Sequence, residues 1–292
     1  MSPDALAWRV TSGRWRRVYE GVFQTLPGRA DWTTTATAAL LHTMSGGAAA
    51  DAALRGESAA YAWGLRATAP PIVHLVIPQR RTVTRQPGLV VRRSMRWDDL
   101  IDDRAFPWRT TMRATVLDVA SAGSALDALS IVAKAVQNEL VTPSELLAEI
   151  TARGGHKHSR ILRPALSDVR DGGQSGSELL YIRDVERAHG LPLAVRQSPS
   201  HIGRHRLHDN EYVEQKLIVE VDGRLGHERW SDRVNDGRRD RQLLTSARLT
   251  TRVFFADVNI QPCVTASEIA AILATRGWRG RPRRCRRAGC PC

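Results

Sequence analysis

The sequence predicts a mixed fold, α+β in its N-terminal part and α/β in its C-terminal part, on three observations. Apolar residues recur at helical spacing, as at Leu126, Leu129, Val132, Val136 and Leu140. Short β-rich runs bounded by Pro and Gly lie between such stretches, as at Ile72–Ile77 and Leu89–Arg92. The run Gly172-Gly-Gln-Ser-Gly-Ser177 reads as a linker, beyond which helix and strand patterns alternate. At 292 residues, 42% hydrophobic and 25% charged, the chain has the composition of a core-forming protein, not a disordered one. No apolar run approaches the roughly 18 residues of a membrane span, and no signal-peptide pattern is present. The 4 cysteines are too few for a disulfide scaffold of this length. A soluble cytoplasmic protein with no membrane partner is expected.

Taken in order, Ser2-Pro3 is an N-cap/N1 pair for a first helix that carries Leu6 and Val10 on one face and closes at Gly13. Arg14-Trp-Arg-Arg-Val-Tyr19 and Val22-Phe-Gln-Thr25 flank Glu20-Gly21 as a β-hairpin. A short helix followed by a basic hairpin is the back half of a winged helix-turn-helix, so residues 1–28 are expected to form a partial module of that kind. Residues 29–170 read as an α+β middle domain. It has helix over 33–65 interrupted at Gly46-Gly47, the two strands above, helix over Ala125–Leu140, and a further helix from the capping box Thr142-Pro-Ser-Glu145 to Gly154. Residues 174–279 form the C-terminal domain. Its predicted elements are a helix over 178–189, strands near 193–197, 204–213 and 216–222, a helix over 233–245, a strand over 250–255 and a helix over 266–276 capped by Thr265 and Glu268. Residues 280–292, rich in Arg, Gly and Pro, are expected as a basic disordered tail.

The formal net charge of +13 is unevenly distributed. Residues 1–29 carry +3, while 58–97 and 276–292 each hold 7 Arg and no acid. Residues 174–275 are neutral, with 14 basic and 14 acidic side chains. Basic flanks suit the neutralisation of phosphates, and a clustered set of carboxylates suits a cation.

That neutral segment holds the most informative pattern. Leu217–Val221 is a nearly continuous apolar run, as in a strand buried on both faces, and Glu220 and Asp222 share one side of it near its C-terminal end. Charges in such a run are costly unless paired or bound to metal. Asp209 lies eleven residues before Glu220, a spacing that suits an antiparallel neighbour strand, and His227 follows just past the strand end. Converging hard oxygen ligands of this kind suit Mg²⁺ or Mn²⁺, as phosphodiester hydrolysis requires, with His227 orienting water or moving a proton. The alternative is a hairpin with a solvated acidic edge, against which the apolar run argues. Asp236, Arg239 and Asp240 either contribute to a site or form ion pairs on a helix surface. Arg252 either binds phosphate or pairs with a site carboxylate.

Ser177-Glu-Leu-Leu180, Asp209, Val219-Glu-Val-Asp-Gly-Arg-Leu-Gly-His227, Arg239-Asp240 and Arg252 resemble the domain-of-unknown-function family related to very-short-patch-repair endonucleases, within the PD-(D/E)XK superfamily. The resemblance covers roughly residues 174–278. It implies a restriction-endonuclease-like α/β domain with a mixed central sheet and a metal-dependent DNA endonuclease activity. By the same resemblance, Glu178 projects from the first helix into the site, and Asp209 and Glu220 bind the metal with the Val221 carbonyl. His227 matches the histidine of the repair enzymes, and Arg239 and Arg252 contact nucleic acid. Asp222 stands where the superfamily usually has Lys, a departure that leaves transition-state charge to Arg or to the metal. Glu178 is also placed to act as the acid of a capping box with Ser175.

The hairpin sequence Ser12-Gly-Arg-Trp-Arg-Arg-Val-Tyr-Glu-Gly-Val-Phe resembles the wing of AbiEi-type antitoxins, and 30–170 is similar to the region that follows it there. That resemblance implies phosphate contacts by Arg14, Arg16 and Arg17, packing or sugar contact by Trp15, and a cognate toxin as a partner. It also implies an alternative function, a non-catalytic DNA-binding regulator. No small-molecule cofactor is expected. The tail spacing Cys285-x₄-Cys290-x-Cys292, with Cys263 distant, lacks the paired ligand clusters usual in zinc sites, so free reduced thiols are the expected state. The tail arginines read either as a phosphate-binding arm or as a solubilising terminus.

Overall fold

The structure is a computed structural model that describes residues 1–25, 31–44, 46, 50–104, 106–171, 175–199, 207–222, 241, 243–245 and 247–292. It combines helices with mixed sheets. Two compact units divide at Ala122/Gly123, inside the stretch read from sequence as one middle domain. Among the described residues no helix is long and apolar enough to cross a membrane.

The N-terminal unit opens with α1 (Pro3–Thr11), where Ser2 Oγ accepts the Ala5 N–H at 3.2 Å as its N-cap. Strands β1 (Arg16–Tyr19) and β2 (Val22–Gln24) form the antiparallel hairpin, turning at Gly21 with φ +74°, where a side chain would be strained. Arg14, Arg16 and Arg17 are exposed. The Arg14 guanidinium lies over the Trp8 ring and Arg9 over Trp15, so both indoles are occupied within the unit.

Helix α2 (Trp32–Thr43) is followed by β3 (Ala53–Leu54) and α3 (Gly56–Ala62), which corrects the expected helix over 33–65. The two strand residues are fully buried and pair with neighbours on both sides, a role too short to leave a periodic trace. Then come β4 (Val73–Pro78), β5 (Leu89–Ser94), α4 (Trp97–Leu100), β6 (Ile101–Asp102), β7 (Arg109–Thr110) and α5 (Met112–Ala122). The sheet order is β5-β4-β3-β7-β6, and its core includes Leu40, Leu54, Leu75 and Ile77. The buried Arg109 donates to the carbonyls of Ala62, Phe106 and Pro107 and stacks on Trp63. Within the basic stretch 58–97, Arg66 pairs with Glu57 and Arg81 with Asp51.

The C-terminal unit begins with α6 (Ala125–Gln137), α7 (Pro143–Ala152) and α8 (Ser159–Asp171). Both hydrogen bonds of the Thr142/Glu145 capping box form, and Gly154 sits at φ +70° two residues past α7. Helix α9 (Ser175–Leu180) runs into a π-helical segment, Tyr181–Arg187. Four strands follow: β8 (Val195–Pro199), β9 (Leu207–Tyr212), β10 (Leu217–Asp222) and β11 (Leu249–Phe254). Their order is β11-β10-β9-β8, with only β10 and β11 parallel. Helices α10 (Phe255–Asn259) and α11 (Pro262–Thr275) complete the unit. Tyr181, Val185, Tyr212, Leu217, Val219, Val221, Val253 and Leu273 build its core.

Helix α11 starts a turn earlier than predicted. Pro262 occupies its first position, and Thr265, assigned as the cap, is buried inside the helix with its hydroxyl donating to the carbonyls of Asp257 and Gln261. The tail is also corrected. Arg283 donates its backbone N–H to His189 O at 2.8 Å and a guanidinium N–H to Arg187 O, while Arg287 pairs with Asp184. Arg276 donates to the carbonyls of Gln215 and Ala247. These arginines anchor the C-terminal segment, a use that neither sequence reading covered. Most of the helix expected over 233–245 lies outside the described residues.

Candidate active site

Glu178 on α9 lies within electrostatic reach of Asp209 on β9 and Glu220 on β10. The antiparallel ladder between these strands runs from Leu217↔Tyr212 to Val219↔Asn210 and then stops. Past that point the Asp209 side chain takes over from the backbone, its Oδ2 accepting the Val221 N–H at 2.9 Å. The eleven-residue spacing therefore does bring Asp209 beside the Glu220–Val221 step of an antiparallel neighbour.

Glu220 is half-buried between the buried Val219 and Val221, and its Oε1 lies 3.2 Å from His208 Nδ1. In the parallel ladder its partner on β11 is Arg252. Asp222, the last residue of β10, is half-buried and two residues along from Glu220. Glu178, on α9, accepts a long hydrogen bond of 3.5 Å from Gln197 Nε2. Burial first, and then the negative charge of Asp209 with a smaller part from Glu220, pushes the Glu178 carboxyl above the usual range, against the opposing effect of Arg196. The charges of Asp209 and Glu220 are thus felt at Glu178. His227 and Arg239 lie outside the described residues.

A buried polar network holds these elements in place. Glu186, on the π-helical segment, is 0% exposed and accepts from Arg196, from the Tyr212 hydroxyl at 3.3 Å and from the Ala194 N–H at 3.2 Å. Arg196 also donates to Asn210 Oδ1, and Asn210 Nδ2 donates to Val219 O at 3.0 Å. Tyr181 and Tyr212 join hydroxyls at 2.9 Å, and burial drives both phenol pKa values well above their ordinary value. The chain from Glu186 through Arg196 and Asn210 to Val219 ties the helix carrying Glu178 to β8, β9 and β10. On the same sheet, Glu211 accepts from Ser198 at 2.6 Å and from Arg248 at 3.0 Å.

No protein-family model and no curated protein matches this chain.

Sequence reasoning missed His208, Gln197, Glu186 and Arg196. His208 directly precedes Asp209, and strict strand alternation assigns it to the opposite face. The β9–β10 ladder has ended at Asn210, and beyond it the His208 ring lies 3.2 Å from Glu220. The sequence signal for Glu186 is faint, because an acid in a helix that also carries Arg183 and Arg187 looks like solvated surface.

By donor type alone, these carboxylates suit a hard divalent cation. Among the described residues, however, the carboxylate oxygens of Glu178, Asp209 and Glu220 do not form a group within 4.8 Å of one another, and the Glu178 carboxyl is raised first by burial and then by the charge of Asp209.

Proposed function

We propose that the four-stranded sheet of the C-terminal unit carries a Mg²⁺- or Mn²⁺-dependent phosphodiesterase that cleaves DNA, in the manner of the PD-(D/E)XK endonucleases the sequence resembles. The observation that supports this reading is the placement of Asp209 beside the Glu220–Val221 step, where its carboxylate accepts the Val221 N–H, with both acids near enough to add to burial in raising the Glu178 carboxyl. Asp209 and Glu220 are the ligands, with Glu178 beside them. The Val221 N–H fixes the orientation of the Asp209 carboxylate, and His208 aligns Glu220. When bound, the ion supplies Lewis-acid polarisation of a phosphoryl oxygen and a lowered pKa for an attacking water. Asp222 offers no positive charge where the superfamily has Lys, so Arg252, beside Glu220 in the ladder, is the residue to meet charge on the phosphate. Arg14, Arg16 and Arg17 on the exposed hairpin suit backbone phosphates. The acid at the Lys position also favours a second reading, a DNA-binding regulator of the AbiEi antitoxin type whose nuclease fold no longer cuts.

Purified protein incubated with supercoiled plasmid and Mg²⁺ or Mn²⁺ tests the two readings. Nicking that chelator abolishes, and that falls about a hundredfold or more in Asp209→Asn, supports the enzyme. Asn keeps a carbonyl oxygen for the Val221 N–H, so an unchanged melting curve separates lost charge from lost fold. Absence of cleavage under every metal, with salt-sensitive DNA binding intact, assigns the protein to the second reading.

A further inference from the structure

Among the described residues of the C-terminal unit, a cluster of ligand-type side chains is built from three separate stretches of chain. His189 follows the π-helical segment, Cys263 sits in the first turn of α11, and Cys285 and Cys290 belong to the C-terminal segment. One ligand atom from each lies within 4.8 Å of every other, and the sulfurs of Cys263 and Cys285 are 3.4 Å apart. A tetrahedral zinc centre with Zn–S near 2.3 Å and Zn–N near 2.0–2.1 Å has ligand–ligand edges of roughly 3.5–3.8 Å. The 4.8 Å limit on the four ligand atoms is about 1 Å longer than those edges. His189, Cys263 and Cys290 are buried, as a closed structural site requires.

We propose that His189, Cys263, Cys285 and Cys290 bind a structural zinc ion that fastens the C-terminal segment to the helix of the candidate active site. An observation independent of the clustering points to the ligand. The His189 ring is 0% exposed, its Nδ1 lies 3.0 Å from Val185 O, and its Nε2 is buried without a nitrogen or oxygen partner and faces sulfur. Donation of Nδ1–H to a backbone carbonyl leaves the Nε2 lone pair available, the tautomer a zinc-bound imidazole needs. A buried imidazole nitrogen without a partner is otherwise a cost to the fold.

The donor chemistry selects the metal. Three thiols and an imidazole suit zinc, whereas the carboxylates of the other site suit magnesium or manganese. Binding displaces three thiol protons to solvent and leaves three thiolates around a divalent ion, a net charge of about −1. Arg283, Arg284, Arg286 and Arg287 flank Cys285 in the chain and line a cavity with it, a basic setting that suits the negative charge. Backbone geometry already brings the segment into place. Arg283 N–H donates to His189 O, and the Arg283 side chain crosses Gly190 so closely that a Cβ there would lie 3.3 Å from it. A disulfide between Cys263 and Cys285 is the rival arrangement, and it leaves Cys290 and His189 Nε2 without a role. Cys292 lies close by but outside the four, its thiol directed at Cys263 O at 3.5 Å.

Metal analysis of the full chain, purified under reducing conditions, tests this independently of any nuclease assay. One zinc per chain is expected, retained in Cys292→Ser. In Cys285→Ser and Cys290→Ser, zinc affinity should fall by more than the roughly 10–100-fold that loss of an outer-sphere contact costs. Because those variants risk misfolding, the metal-stripped native sequence is also titrated with cobalt(II). Intense visible bands with sulfur-to-cobalt charge transfer, saturating at one equivalent, support a tetrahedral thiolate site. Failure to take up zinc or cobalt, a weak six-coordinate cobalt spectrum, loss of zinc in Cys292→Ser equal to that in Cys290→Ser, or a Cys263–Cys285 disulfide in the reduced preparation would each overturn the assignment.

Discussion

Replacing Arg196 by Met should be among the most damaging single changes in the C-terminal unit. Glu186 is 0% exposed, and Arg196 is the one cation donating to it among the described residues. Removing one partner of a buried pair costs about 3–5 kcal/mol, because the remaining charge stays out of water. Two terms adjust that figure in opposite directions. The Arg196 side chain is 29% exposed, so water can approach from its side and partly solvate Glu186. Asn210 Oδ1 also loses its donor, which adds about 1 kcal/mol. The sum stays near 3–5 kcal/mol, and at roughly 2–4 °C per kcal/mol for a unit of this size the melting temperature should fall by about 6–20 °C. Circular dichroism melts of the purified chain measure this directly. The double variant Glu186→Gln/Arg196→Met removes the charge together with its partner and should recover a large share of the loss. A single variant melting within about 2 °C of the parent, or a double variant no more stable than the single, would refute the claim that an uncompensated buried charge is the cause.

Four further outcomes follow from the same structure. Burial opposes ionisation of Glu211, but hydrogen bonds from Ser198 and Arg248 outweigh it and hold the carboxyl below its usual range. The stability it contributes is complete above the ordinary carboxylate range and is lost as pH falls through the lowered value, so Arg248→Met should flatten the acid limb of a denaturation-versus-pH curve. Glu178 has the opposite sign: its carboxyl is raised by burial and neighbouring acids, so its ionised form weighs against the metal-free fold. Glu178→Gln should therefore exceed the parent in stability at neutral pH in chelator, with the gap closing as pH falls through the raised value. His208→Ala removes the partner of Glu220 and should lower Mn²⁺ affinity, read by calorimetry, about 10–100-fold. Thr142→Ala removes the hydroxyl that caps α7 and should cost about 1 kcal/mol in urea denaturation.

Several parts of this protein were decided locally and were therefore legible in the sequence. Ser2-Pro3 and Thr142-Pro-Ser-Glu145 start their helices as their cap chemistry dictates, and Gly21 turns the basic hairpin. The apolar run Leu217–Val221 forms a strand because it can be covered, and Asp209 returns to its acidic end because a short turn joins neighbouring strands. Each of these depends on backbone preferences and side-chain periods over a few residues. Tertiary structure decided what depends on pairs far apart in the chain. It made Ala53–Leu54 a strand, began α11 at Pro262, ended the β9–β10 ladder at Asn210, set the His208 ring beside Glu220, and buried Glu186 against Arg196. It also brought Cys285 and Cys290 back to Cys263 and His189 from a segment whose composition reads as disordered. A buried polar side chain and an exposed one are written with the same letter, and only the fold determines which partner, carboxylate, guanidinium or sulfur, removes the cost of burial.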